Sequence, residues 1–154
     1  MQLHTANTIG YLLQHTAAIF ARHNDRVLQE KFGIGFSQCK LLLVLRQNPA
    51  TEQREIALWL GQTEASISRQ IRLMADMGLL TSMRDAHNKR RHQTALTAKG
   101  VEITDHAMSI LNDQYAAGLT LLSTADQQQL TELLRKVHGA LCQSGSACTI
   151  HQQL

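Results

Sequence analysis

The sequence predicts a mainly α-helical chain interrupted once by a short β-hairpin, and three observations carry that expectation. Apolar residues recur at steps of three and four through most of the 154 residues. The one proline, Pro49, leaves long stretches free to remain helical. A single pair of short runs, 79–84 and 91–96, alternates as strands do around a polar connection. This length is that of one ordinary domain, and 1–154 is expected to fold as one.

Each element follows from local chemistry. Ile9, Leu12, Leu13, Phe20 and Val27 keep helical spacing, so the chain opens with a long helix. The two glycines in Phe32-Gly33-Ile34-Gly35 stop it. A second helix is predicted over 36–46 with Leu41, Leu42 and Leu45 inward, and Asn48-Pro49 ends it. Thr51 is placed to cap a third, short helix whose buried stripe is Ile56, Ala57 and Leu60, and Gly61 closes that one.

Gly61-Gln62-Thr63 then forms a tight turn into a fourth helix, over 64–77, with Thr63 as N-cap. Ile67, Ile71 and Met74 fall at i, i+4 and i+7 and point inward, while Ser66, Arg69, Gln70 and Leu73 share another face. Two short helices across a turn, the second offering hydroxyl, amide and guanidinium groups from its N-terminal half, make an arrangement that fits the major groove of DNA. Gly78 closes the fourth helix. The hairpin that follows carries Arg84, Lys89, Arg90 and Arg91 at or near its tip, where guanidinium groups suit phosphates and a narrow minor groove. Thr97 caps a further long helix to about residue 117, with Val101, Thr104, Met108, Leu111 and Tyr115 in its stripe. A capping-box-like start at Ser123-Thr124 with Gln127 opens the last helix, whose apolar stripe is Leu130, Leu133, Leu134, Val137 and Leu141.

Charge is distributed to match. Residues 1–60 carry 6 basic and 4 acidic side chains, residues 61–100 carry 7 and 3, and residues 101–154 carry 2 and 5, so the positive field lies in the middle. Taken alone, each of these faces would be an ordinary solvated surface, and only their order in register gives them functional weight.

Four strings in order resemble the MarR-type (multiple antibiotic resistance) winged helix-turn-helix regulators: Arg54-Glu55-Ile56-Ala57, Ser66-Ile67-Ser68-Arg69, Met77-Gly78-Leu79-Leu80, and Ala95-Leu96-Thr97-Ala98-Lys99-Gly100. The resemblance implies a homodimer whose terminal helices, 1–34 and 101–154, form the interface, and whose winged helix-turn-helix lobes, 35–100, grip a double-stranded operator. It assigns Ser66, Ser68, Arg69 and Arg72 to the major groove and Arg90 to the wing. In the wing motif Asn88 stands where the family usually has aspartate, so a neutral hydrogen bond replaces the ion pair that braces the arginine. The expected function is sequence-specific repression released by a small aromatic or anionic effector, in the cytoplasm.

Other classes are disfavoured by what the residues do not supply. No run approaches the roughly 18 apolar residues of a membrane span, and no signal peptide opens the chain. Eight histidines include no HExxH or close His/Cys set, so neither metal nor cofactor is expected, and His87 and His92 read as exposed hairpin residues. No nucleophile turn or glycine-rich phosphate loop supports an enzyme, although Cys39 with a histidine is a conceivable pair. The remaining alternatives are a winged helix that binds only protein, and a repressor of the same fold switched by oxidation of Cys39 or of Cys142 and Cys148. A small buried hydrophobe is the plainer reading of Cys39. Tyr11 and His15, with Cys39, are the candidates for an effector pocket.

Overall fold

The computed structural model describes residues 5–49, 51–84 and 92–143. The chain divides into two compact units, Met1–Cys39 and Lys40–Leu154.

The first unit consists of helix α1, Thr5–Phe32, and the opening turn of α2, Phe36–Gln47. Gly33 stops α1 with a positive φ of 68°. The start of α2 is capped from a distance: the Phe36 N–H donates to Asp25 Oδ1 at 2.8 Å, and the Gly35 N–H donates to Gln38 Oε1 at 2.7 Å. These bonds satisfy amide groups that every helix start leaves without an intrahelical acceptor. Asn24, Leu28, Ile34 and Cys39 are buried. By contrast the first half of α1 presents Ile9, Tyr11, Leu12, Leu13 and Ile19 to solvent.

The second unit begins within α2 and continues through α3 (Gln53–Leu60), α4 (Glu64–Asp76), strands β1 (Leu80–Arg84) and β2 (His92–Leu96), α5 (Ala98–Gly118) and α6 (Thr124–Gln143). Its core takes Leu41, Leu42 and Leu45 from α2, Ile56 and Ala57 from α3, and Ile67, Ile71 and Met74 from α4. Leu79, Leu80, Ala107 and Leu111 complete it. The strands pair antiparallel from Leu80 opposite Leu96 to Arg84 opposite His92. Connection 85–91, which holds Lys89, Arg90, Arg91 and His87, lies outside the described residues.

Two helix starts differ from expectation. Glu52, rather than Thr51, is the N-cap of α3, and its N–H donates to the Glu55 carboxylate at 3.4 Å. The Thr51 hydroxyl instead donates to the Asn48 carbonyl at 2.8 Å, closing the turn behind Pro49. At the start of α6 the partner of Ser123 is Asp126, not Gln127: the Ser123 hydroxyl donates to Asp126 Oδ2 at 2.6 Å and accepts from the Asp126 N–H. A carboxylate accepts more strongly than an amide, and its charge suits a helix N-terminus. Gln127 reaches back to the carbonyls of Leu119 and Leu122. Helix α6 keeps Leu130, Leu133, Leu134, Val137 and Leu141 exposed. Among the described residues no helix is long and apolar enough to cross a membrane.

Candidate nucleic-acid interface

The turn between α3 and α4 depends on one backbone conformation. Gly61 takes φ 61° and ψ 37°, a left-handed geometry that a side chain resists, and its N–H and that of Gln62 close the end of α3 onto Leu58 and Ala57. Two residues later Thr63, in extended conformation, accepts the Ser66 N–H on its hydroxyl at 3.2 Å and starts α4 as expected.

Helix α4 divides cleanly around its axis. Ile67, Ile71 and Met74 are buried, and Arg69, Arg72 and Leu73 lie on the opposite, exposed side. Ser68 is half-buried at one flank of that side. Neither Arg69 nor Arg72 makes an ion pair among the described residues, so both guanidinium groups remain available to an anion. The C-terminus of α4 is fastened by Lys99, whose ammonium donates to the Met77 carbonyl at 3.0 Å.

Ser66 and Gln70 sit differently from Arg69. Both are half-buried and are joined to Gln62, whose Oε1 accepts from Ser66 Oγ at 3.2 Å and from Gln70 Nε2 at 2.6 Å. Gln70 Nε2 also donates to Ser66 Oγ at 3.3 Å. Gln62, read from the sequence only as part of the turn, is the residue that joins the two. The signal was its spacing from Ser66 and Gln70, four and eight residues, which repeats one helical face.

The other candidates are placed as follows. Arg84 ends β1 opposite His92, with its side chain outside the description. Tyr11 and His15 stack on α1 with ring centroids 5.4 Å apart and planes 9° from parallel, both exposed. Cys39 is fully buried, and burial pushes its thiol from 9.0 up to about 11, so the reactive thiolate is scarce near neutral pH. Cys142 lies in α6 without a described side chain, and Cys148 lies outside the described residues. No cluster of three metal-ligating side chains occurs among the described residues.

Residues 36–100, the segment containing the turn, α4 and the hairpin, match the Winged helix DNA-binding domain family. The fold is also that of Staphylococcus aureus MepR in complex with DNA, at TM-score 0.73 and 24% identity over 90% of this chain and 99% of that one. Mycobacterium tuberculosis Rv2887, a MarR family protein solved with p-aminosalicylic acid, superposes at TM-score 0.69 with 22% identity over 84% of this chain and 97% of its own. This chain has the fold of the MarR family regulators. Among curated sequences, the transcriptional regulator HosA of Escherichia coli O157:H7 is 27% identical over 77% of this chain and 88% of its own. Winged-helix DNA binding is the activity that the match over residues 36–100 supports. Within this fold α3, the turn and α4 form the helix-turn-helix, and the β1–β2 hairpin is the wing.

Proposed function

We propose that the protein is a cytoplasmic, non-enzymatic, homodimeric repressor that holds one operator half-site with each winged lobe and releases it when a small aromatic or anionic effector binds. The observation that carries this reading is the exposed Arg69 and Arg72 face of α4, set opposite its buried Ile67, Ile71 and Met74. A helix anchored on one side and cationic on the other delivers guanidinium groups to base edges and phosphates without reorganisation.

Dimerisation through the terminal helices, 1–34 and 101–154, is supported by their exposed apolar stripes. Leu12 and Ile19 of α1, and Leu133 and Val137 of α6, would stand in water on a lone chain. Burying such stripes against a second copy removes that exposure and sets two recognition helices about one turn of DNA apart. Within the lobe 35–100, Thr63 and Ser68 join the groove contact, and Arg84, Lys89, Arg90 and Arg91 of the hairpin are assigned to the DNA backbone. Repression is the activity named for the relative Rv2887, and its complex with p-aminosalicylic acid motivates the effector class. A shift of population toward a lobe spacing that does not fit the half-sites suffices for release.

The deciding experiment titrates reduced protein against labelled DNA flanking its own gene, with competitor DNA and increasing salt. Competitor-resistant binding by two chains per site, with affinity falling linearly in log salt, establishes the reading. Binding no tighter than to random DNA at every genomic fragment refutes it.

A further inference from the structure

The half-buried triad of Gln62, Ser66 and Gln70 lies at the N-terminal end of the recognition helix, where a base-reading side chain would normally be free. We infer that Gln62 is a positioning residue that withdraws Ser66 and Gln70 from base readout, so that operator specificity rests on the neighbouring strip of Arg69, Arg72 and Leu73. This inference rests on the operator-binding reading above and deepens it.

Hydrogen accounting carries the argument. The Ser66 hydroxyl has one proton, and it is directed to Gln62 Oε1 at 3.2 Å. Gln70 Nε2 donates to Gln62 Oε1 at 2.6 Å and lies 3.3 Å from Ser66 Oγ, closing a triangle of the three side chains. Gln70 Oε1 is buried away from solvent, which leaves it out of reach of a base. The Ser66 N–H is occupied as well, by Thr63. A glutamine that reads adenine needs both its amide donor and its carbonyl acceptor at the base edge. Here the Gln70 acceptor is covered, and its amide nitrogen and the Ser66 hydroxyl are engaged by Gln62. On the open side, Arg69 and Arg72 lack such ties, and Leu73, half exposed, offers an apolar surface of the kind that meets a thymine methyl.

The test is in vitro selection of bound sequences from a random duplex pool by the full chain, comparing wild type with Gln62→Leu, Gln62→Glu and Ser66→Ala, each checked for folding by circular dichroism and thermal melting. Gln62→Leu deletes the acceptor at similar size and frees both side chains, so relative base preference shifts by about tenfold at one or more positions. Gln62→Glu keeps the acceptor and keeps the wild-type consensus. Ser66→Ala, a substitution that helices accept readily, alters affinity for all sequences alike and leaves the preferred base at each position in place. A folded Gln62→Leu that selects the wild-type consensus overturns the inference alone, as does loss of a base preference in Ser66→Ala. A wild type that enriches no sequence overturns the operator reading and the inference with it.

Discussion

Gly100, in the first turn of α5, lies against the backbone carbonyl of Leu79 so closely that a Cβ at that position would overlap the oxygen. The same junction is tied by Thr97, whose N–H donates to the Leu79 carbonyl at 3.0 Å and whose hydroxyl donates to the Gly78 carbonyl at 2.7 Å. The end of the recognition helix, the first strand of the wing and the start of α5 are therefore held at one point.

Gly100→Ala is expected to destabilise the protein by about 2 kcal/mol or more, because the obstruction is backbone and cannot rotate away. Urea unfolding measures it. A loss smaller than about 0.5 kcal/mol would mean that the junction yields without cost.

Asp25 bridges eleven residues to cap α2. Asp25→Ala leaves the Phe36 N–H without this acceptor and is expected to cost about 1 kcal/mol, whereas Asp25→Asn, which retains an acceptor oxygen, should lose only part of that. Thermal melting of the two variants ranks them.

Arg46 Nε lies 3.2 Å from Asp105 Oδ1, linking α2 to α5, but both side chains are about half exposed. Solvent screening should hold the effect of Asp105→Asn below about 1 kcal/mol, and high salt should erase it. A larger, salt-insensitive loss would show that the pair is shielded in the assembled protein.

Cys39 makes a pH prediction with a definite sign. Its thiol is raised to about 11 in the folded chain, so the folded state disfavours the thiolate. The stabilisation is complete below about pH 9 and is lost as pH rises toward 11, since the unfolded chain ionises first. Relative to wild type, Cys39→Ala should show a shallower loss of stability across that window. Native Cys39 should also react with iodoacetamide at neutral pH far more slowly than in urea. Equal rates would restore it as a redox candidate.

Arg69→Ala is expected to cost about 1 to 3 kcal/mol on the operator and much less on random DNA, the signature of a base contact. If Arg90 neutralises a phosphate, Arg90→Ala should lower the salt slope by roughly one for every sequence. Measured isotherms at several salt concentrations separate the two roles.

The order of elements was legible because each depends on near neighbours. Gly61, Thr63, Gly78 and Thr97 mark their boundaries through local backbone conformation and capping, and Ile67, Ile71 and Met74 reveal the buried side of α4 by spacing alone. The caps at Glu52 and Ser123–Asp126 were less legible. Several hydroxyl and carboxylate groups lie next to those helix starts in sequence, and which of them caps depends on how the chain enters each helix.

Sequence by itself determined the fold class, the order of its elements and the concentration of positive charge between residues 61 and 100, since periodicity and composition are properties of the chain. Only the tertiary structure decided which polar residues of that helix remain available. Ser66 and Arg69 are both polar members of α4 in the sequence, yet one is bound into a network with Gln62 and Gln70 while the other faces outward. Asp25 and Phe36, and Gly100 and Leu79, likewise meet only after folding. The physical reason for the two distant pairs is that hydrogen bonds and steric contacts act over a few ångströms in space, and the separation of those partners along the chain carries no trace of that proximity.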